Sequence, residues 1–405
     1  VVETMSNGIK LHCINAGTQA VMRFAMVFEA GTLHQTQAFV ATATGNMLIE
    51  GTLNQSSSEI AEKLDFYGTS IEVNTDRDYT IISVYCLTKY CDEILQIIAD
   101  ILKFPVFPQE ELEIYKQKRK EALRIEQEKV EFLARKEFLK AIYGTTHPYG
   151  RSGEVEDYNI LRRELLVDYH HRYLTSSNVF IVLAGNVGER ERVVIERYFG
   201  SETWGNYDHS NAWEEPKGDQ NRKQSFTKMD ALQSAIRAGR VLFPKNHTDF
   251  TGMQVLNTVL GGYFGSRLMR NIREEKGYTY GIYSVIAPLK KSGYLSIVTD
   301  TNNEYTSEVV KEIEREIHLL QTELIPDYEL NTVKQYIYGE MLHTLDGPWG
   351  QSEVCIDRVQ SGLPDNHVEM LFEEVQNITS EQLLQLAIKY LKLEDLYEIV
   401  VGNNI

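Results

Sequence analysis

The chain contains little cysteine and proline, with four and nine residues respectively among 405. Its cysteines, at positions 13, 86, 91 and 355, are dispersed and form no C-x-x-C pair, which argues against a disulfide framework. No apolar run approaches the roughly 18 residues that a membrane span needs. The sequence does not open with a basic segment followed by an apolar core, so it predicts no signal peptide, and we expect a cytoplasmic protein.

Positive charge is also scarce, because 41 Lys and Arg face 58 Asp and Glu and leave a formal net charge of −17. Nucleic-acid partners need a basic face, so this balance argues against them. It is compatible with basic peptide partners, although acidity that only maintains solubility explains it as well. With 42% hydrophobic residues, two domains of about 200 residues can each bury a stable core.

The sequence carries an internal duplication. Pro108-x-x-Glu111-Leu112 recurs as Pro326-x-x-Glu329-Leu330, and each copy follows an amphipathic helix pattern. Further along, FIVLAGN and the terminal strand pattern around Val401-Gly402-Asn403 lie at the same offset within a residue. Two homologous halves follow from this agreement.

A polar segment without periodicity, residues 204–224, separates the halves and predicts a linker. The predicted domains are therefore 1–203 and 225–405. Short β-branched and aromatic runs lie beside long helical patterns, such as the one over 109–142, without strict alternation. This predicts an α+β fold in which each domain has a largely antiparallel sheet with helices packed on it.

Residues 39–52, FVATATGNMLIEGT, precede a polar turn and then SSSEIAEKLDFYGTSIEV, where Ser56 and Glu59 form a predicted capping box. This frame resembles the zinc peptidases of the pitrilysin and mitochondrial-processing-peptidase family. There the helix carries an inverted motif, H-x-x-E-H, and runs into an apolar segment that ends in Gly-Thr. Gly51-Thr52 and the preceding Met47–Ile49 match that segment.

The resemblance places Thr42, Gly45 and Asn46 where the family has its two histidines and its glutamate. The third ligand, a glutamate in the family, falls on Ala122, and a supporting glutamate falls on Tyr115. Zinc needs imidazole or carboxylate ligands and, for hydrolysis, a base for its water. Threonine, glycine, asparagine and alanine supply neither, so we expect no metal and no cofactor in this chain.

Two carboxylates, Glu121 and Glu126, lie near the third position but out of register, and one carboxylate alone cannot hold zinc. No H-E-x-x-H or H-x-x-E-H occurs elsewhere in the chain. Thr42 as a nucleophile would need a neighbouring base, and none accompanies it in the sequence.

The likeness extends over most of the chain through HPYGRSG (147–153), FIVLAGN (180–186) and LGGYFGSRLMRNIREEKGYTYGIYS (260–284). In the family, the last segment carries an Arg and a Tyr seven residues apart that contact the substrate peptide. Arg273 and Tyr280 match them in spacing and context, and their guanidinium and phenol groups are donors suited to carbonyl oxygens. A purely structural role, with Arg273 capping a helix and Tyr280 beginning a strand, is the alternative.

Four other features are interpreted structurally. Gly261, Gly262 and Gly265 lack a Walker lysine and predict a tight turn. His147, His170 and His171 have no second ligand four residues away, and we interpret them as structural. The charged run over 116–120 is interpreted as a solvated helix face, and residues 346–349, DGPW, as a loop that breaks a helix.

The resemblance implies a non-catalytic, bacterial-type homologue that pairs with a zinc-bearing homologous subunit and contributes Arg273 and Tyr280 to peptide binding. Two alternatives stay open. One is a structural subunit like the family's members in respiratory complexes, and the other is a homodimeric peptide-binding chamber without proteolysis.

Overall fold

A computed structural model describes residues 1–205, 207 and 213–403 of the chain, and these residues form two sheets. The strands of the first sheet are β1 (Val2–Thr4), β2 (Lys10–Asn15), β3 (Val21–Phe28), β4 (Ser70–Thr75), β5 (Thr80–Leu87) and β6 (Val179–Gly185). Those of the second are β7 (Lys223–Thr227), β8 (Gln233–Leu242), β9 (Thr279–Pro288), β10 (Gly293–Asn302) and β11 (Tyr397–Gly402).

Each sheet is mostly antiparallel. The strand order is β1-β2-β6-β3-β5-β4 in the first and β7-β11-β8-β10-β9 in the second. The pairs β2–β6 and β7–β11 are parallel, and the other described pairs are antiparallel. The repeated pattern confirms the predicted α+β class and the predicted duplication of the fold.

The helices alternate irregularly with these strands. Those between β3 and β7 are α1 (Val40–Met47), α2 (Ser57–Phe66), α3 (Cys91–Lys103), α4 (Gln109–Gln127), α5 (Val130–Tyr143), α6 (Asp157–Ile160), α7 (Arg163–Tyr173) and α8 (Glu189–Ile195). Those after β8 are α9 (Phe250–Asn257), α10 (Thr306–Thr322), α11 (Asp327–Thr344), α12 (Gly347–Gln360), α13 (His367–Asn377) and α14 (Ser380–Tyr390). Wider π-helical turns follow α8 and α9 and precede β9, at Glu196–Gly200, Thr258–Gly262 and Met269–Glu275.

The duplicated prolines begin equivalent helices. Leu112 donates its backbone N–H to the carbonyl of Pro108 at 3.0 Å, and Leu330 does the same to Pro326 at 3.0 Å. The predicted capping box is also present at α2, where Ser56 accepts from the backbone of Glu59 and the Glu59 carboxylate accepts from the backbone N–H of Ser56.

The predicted helix over 109–142 is in fact two helices, α4 and α5, separated at Glu128-Lys129. The predicted loop at 346–349 is shorter than expected, because Gly347, with a φ of 72°, already begins α12. A glycine at this position adopts the left-handed conformation without the strain that a Cβ would add.

Contacts divide the chain into two compact units. Unit 1 comprises Val1–Leu123, Gly153–Trp213 and His343–Asp357. Unit 2 comprises Arg124–Ser152, Glu214–Leu342 and Arg358–Ile405. Helix α5 therefore belongs to the unit of the second sheet, and most of α12 to that of the first.

The division into 1–203, 204–224 and 225–405 concerns the duplicated sequence, and it stays a prediction. Of the predicted linker, residues 206 and 208–212 lie outside the described part of the chain.

In each unit, one face of the sheet packs on a large apolar core. The amphipathic helix α3 supplies Ile94, Leu95, Ile98 and Leu102 to the core of unit 1, and α10 supplies Val309, Ile313, Ile317 and Leu320 to that of unit 2. Burial of these aliphatic side chains at helical spacing is the main stabilising term for both layers.

Candidate functional site

Helix α1 carries the degenerate metal motif and is closely packed. Asn46 donates its side-chain amide to the carbonyl of Thr42 at 2.9 Å, so the two outer ligand positions bond to each other within the helix. Gly45 is buried, and a Cβ built there would lie 2.9 Å from Thr75 Oγ1 and 3.0 Å from Val73 Cγ1. Strand β4 therefore occupies the space that a side chain at position 45 would need.

The third ligand position is no better suited to metal. Ala122 is exposed on α4, while Tyr115, two turns earlier, directs its hydroxyl toward Asn46 at 3.3 Å. Glu126 forms an ion pair with Lys129 at 2.6 Å. Among the described residues, no group of three His, Cys, Asp or Glu could hold a metal ion.

The side chains at these positions do not fit zinc, because an amide, a hydroxyl and a phenol replace the imidazoles and carboxylates that bind it. The position of the base has neither a side chain nor room for one. The helix can therefore contribute hydrogen bonds and apolar packing, but no hydrolytic chemistry of the zinc type.

In unit 2, the structure brings Arg273 and Tyr280 together. Arg273 lies in the π-helical turn Met269–Glu275, and its Nε donates to the backbone carbonyl of Tyr280 at 2.9 Å. The guanidinium carbon lies 4.8 Å from the centre of the Phe264 ring. Tyr280 is 92% exposed at the start of β9, so its phenol is available to a ligand.

Buried polar contacts hold the turn that carries Arg273. The side-chain amide of Asn271 donates to Glu312 at 2.9 Å and to Glu316 at 2.7 Å. Lys276 forms an ion pair with the same Glu312 at 3.2 Å. These contacts tie the turn to α10, so less of its backbone has to be ordered when a ligand binds to Arg273.

The glycines of the same segment are structural. A Cβ at Gly261 would lie 2.7 Å from the backbone nitrogen of Ser284, so the turn packs directly on β9. This contact leaves no backbone amides directed at a phosphate, and it agrees with the predicted tight turn.

Two of the histidines also have structural partners. The ring of His170 bonds to the carbonyl of Leu102 at 2.7 Å, and burial lowers its pKa to about 4. His147 bonds to the carbonyl of Glu214 at 3.1 Å and accepts from the backbone of Tyr149 at 3.1 Å. The ring of His171 lies 5.6 Å from that of His170.

The sequence reasoning missed a cluster beside the degenerate helix. The guanidinium carbon of Arg119 on α4 lies 5.9 Å from the centre of the Tyr115 ring, and the ring of Tyr158 stacks on Phe39 at 4.1 Å. Burial lowers the pKa of Arg119, but the neighbouring Tyr115 and Tyr158 raise it above its ordinary value. The sequence contains part of the evidence for this cluster, because Tyr115, Arg119 and Ala122 have the spacing of one helical face. Nothing in the sequence shows that Tyr158 reaches it.

Comparison with known proteins assigns the family. The model described as insulinase (peptidase family M16) matches residues 12–152, and the model described as peptidase M16 inactive domain matches residues 161–337. The chain belongs to peptidase family M16, as the predicted resemblance required.

Relatives of similar length carry different names. A Bacillus subtilis (strain 168) protein named uncharacterized zinc protease YmxG is 26% identical over 85% of this chain and 84% of its own. A Helicobacter pylori (strain ATCC 700392 / 26695) protein named non-peptidase homolog YmxG is 24% identical over 91% of this chain and 85% of its own. With the ligand positions described above, the comparisons make this chain a non-catalytic member of the family.

Solved structures show the same fold. A peptidase M16 inactive domain from Pseudomonas fluorescens has a TM-score of 0.91 at 21% identity and covers 100% of this chain and 98% of its own. A chain of complex III2 from Candida albicans has a TM-score of 0.79 at 13% identity, with coverage of 99% and 95%. No helix among the described residues is both long and apolar enough to span a membrane.

Proposed function

We propose that the chain is the substrate-binding, non-catalytic subunit of a metallopeptidase and acts with a zinc-bearing homologous subunit. The observation that carries this proposal is the contrast between the two candidate sites. The position of the catalytic base, Gly45, is buried against β4, whereas Arg273 and Tyr280 are joined by a hydrogen bond with the phenol facing solvent.

In this role, Arg273 and Tyr280 bind the backbone of a peptide. The Nε of Arg273 is used by the Tyr280 carbonyl, which leaves its terminal N–H groups as donors. The exposed Tyr280 hydroxyl is a second donor seven residues further along the chain. Two donors on one short segment can hold a peptide carbonyl and would stabilise the charge that develops on its oxygen during hydrolysis at the partner's active site.

The test is turnover of a quenched fluorescent peptide by the mixed complex. We expect Arg273→Ala and Tyr280→Phe each to lower turnover at least ten-fold while the two subunits still co-elute. Arg270→Ala and Tyr328→Phe are matched controls, since both side chains are exposed in unit 2 and outside the pair. Unchanged turnover in both test variants would remove the assigned role.

A second candidate is a structural subunit without any part in proteolysis, and the fold shared with the complex III2 chain supports it. This function gives Arg273 no role and requires stable assembly with larger, unrelated partners. Purification of the native complex under mild conditions separates the two, because a zinc-bearing homologue is the expected companion only in the first. A homodimeric peptide-binding chamber would instead bind peptides without a companion, and the cytoplasm remains the predicted compartment in all three cases.

A further inference from the structure

Unit 2 contains an open groove between α13, α14 and the start of α9. Its volume is about 840 Å³, within the range of about 300–1,000 Å³ that is usual for ligand sites in proteins. The groove has no lining residue in common with the segment that carries Arg273 and Tyr280. The proposed peptide-binding pair therefore does not account for it.

Two helices each direct one face at the groove. On α13 these are Met370, Glu373 and Glu374, which have the spacing of a single helical face, and on α14 they include Gln385 and Lys389. All five side chains are exposed, so no other element of the described chain covers these faces.

The floor of the groove is apolar. A Cβ built at Gly252 on α9 would lie 2.4 Å from Leu386 Cδ1 and 3.3 Å from Ile378 Cδ1. The missing side chain therefore lets Leu386 and Ile378 pack directly on the backbone of α9. Both side chains are only half-buried, so a ligand that covers them removes further apolar surface from water.

Polar contacts hold the groove in shape. Lys389 pairs with Asp249 at 2.7 Å, and the hydroxyl of Tyr390 donates to the same carboxylate at 2.6 Å, so the end of α14 is tied to the start of α9. At the opposite end of α14, Thr379 and Gln382 form a capping box. The groove is thus formed before a ligand binds, which lowers the ordering cost of binding.

The rim of the groove is acidic. Glu373, Glu374 and Glu381 line it, and none of them forms an ion pair within the described part of the chain. Lys389 is the one cation among the described lining residues, and Asp249 already neutralises it. The rim therefore attracts a cationic ligand and repels an acidic one.

We propose that this groove docks a basic segment of a partner protein. Apolar side chains of the segment cover the floor formed by Leu386 and Ile378, and its Lys or Arg side chains pair with the glutamates of the rim. A small cation would leave the floor uncovered, and an uncharged apolar segment would leave the carboxylates unpaired. The site needs no zinc-bearing companion and so goes beyond the proposed function.

The experiment measures binding of a fluorescein-labelled peptide to the full chain by fluorescence anisotropy. The probe is an amphipathic peptide of about 14 residues, with Leu and Lys at helical spacing. Two comparison peptides have every Lys replaced by Glu or every Leu replaced by Ser. At an ionic strength of about 0.15 M, where exposed charges more than about 8 Å apart are screened, we expect the probe to bind at least about ten-fold more tightly than either.

Charge reversals locate the site. Glu373→Lys and Glu374→Lys should each weaken binding of the probe about five-fold, and the double variant about twenty-fold. Glu304→Lys, in the exposed turn before α10, changes the net charge equally and should alter affinity less than about two-fold. Gln385→Trp fills the groove without a change of charge and should weaken binding about five-fold. Circular dichroism checks that each variant is folded.

Equal affinity for the three peptides would overturn the proposal. So would glutamate reversals that have no larger effect than Glu304→Lys, or a Gln385→Trp variant that binds like the wild-type chain. Sedimentation of the chain without peptide tests another occupant, since a dimer that dissociates on Glu373→Lys would assign the groove to a second copy and overturn the proposal as well.

A peptide-binding chamber would also take up the probe, so the dependence on Glu373 and Glu374 is what assigns binding to the groove. Peptidase turnover of the mixed complex is measured separately. Failure of the proposed function therefore leaves the result of this binding experiment readable.

Discussion

Each unit has a buried arginine at a similar position on its sheet, but the two arginines differ in their hydrogen-bond partners. In unit 1, Arg23 on β3 donates to Ser352 at 2.6 Å and to Ser83 at 3.1 Å, and it pairs with Glu353 at 2.6 Å. In unit 2, Arg237 on β8 is 8% exposed, and its Nε and Nη1 have no hydrogen-bond partner within the described chain. Arg23 is therefore stabilised by hydrogen bonds and an ion pair, whereas Arg237 is mainly desolvated.

The source of the difference is the helix on the second face of each sheet. Helix α12 brings Ser352 and Glu353 to β3, whereas α5 brings Glu131 toward a region that already contains Asp300. Burial and Glu131 raise the pKa of Asp300 to about 6, although Arg237 opposes this, and burial lowers the pKa of Arg237. The comparison teaches that equivalent packing of a helix on a sheet does not ensure equivalent satisfaction of the charges beneath it.

The largest effect is expected from Arg23→Met. This change removes two hydrogen bonds that the charged guanidinium donates and leaves the fully buried hydroxyl of Ser352 with one partner fewer, so we expect a loss of about 2–3 kcal/mol of unfolding free energy. Urea denaturation at pH 7 measures it. Arg172→Met, which breaks an exposed pair with Asp168 on α7, is the control and should cost about 0.5 kcal/mol or less. A loss below about 1 kcal/mol for Arg23→Met would contradict the comparison.

A smaller effect of opposite sign is expected from Asp300→Asn. Because the folded pKa of Asp300 lies above the ordinary value of 3.8, the folded state favours the neutral carboxyl, and stability falls as pH rises through about 6. The side chain is partly exposed, so we expect a gain of only about 1–2 kcal/mol at pH 7, which disappears below about pH 4.

Urea denaturation at pH 4, 5.5 and 7 measures this profile, and Glu373→Gln on an exposed face of α13 is the control. A stability difference between Asp300→Asn and the wild-type chain that does not change with pH would show that the carboxyl is not the cause.

The smallest effect is expected from Arg237→Met. No bond to Nε or Nη1 is lost, and the cost of a desolvated cation is removed, while Asp300 loses a favourable neighbour. These effects oppose each other, so the unfolding free energy should change by about 1 kcal/mol or less in the same urea assay. A loss as large as that of Arg23→Met would mean that the two arginines are held alike.

The sequence predicted the features that depend on local pattern. The α+β class and the capping box at Ser56 and Glu59 follow from periodicity and residue chemistry, and the structure confirms both. The assignment of Thr42, Gly45 and Asn46 to lost metal-ligand positions rests on the family resemblance and stays a prediction. The role of Arg273 and Tyr280 in peptide binding rests on the family resemblance and stays a prediction, and the structure adds that the Arg273 Nε donates to the backbone carbonyl of Tyr280.

What the sequence could not predict depends on contacts between distant segments. The helical pattern over 109–142 is continuous, yet the chain divides at Glu128-Lys129 so that α5 can cover the second sheet. From charge alone, Arg119 and Lys118 were both interpreted as part of a solvated helix face. Only the fold brings Tyr158 close to Arg119. The burial of Gly45 against Thr75 likewise depends on a tertiary contact, which no local sequence pattern predicts.

The assignment of α12 to unit 1 has a consequence for synthesis on the ribosome. All six strands of the first sheet have been made once Gly185 has been added, but its second face stays uncovered until residues 343–357 emerge. At typical translation rates of about 5–20 residues per second, that interval lasts on the order of ten to thirty seconds. During this time the buried side chains of that face, among them Val27 and Val182, are open to chaperones and to other nascent chains.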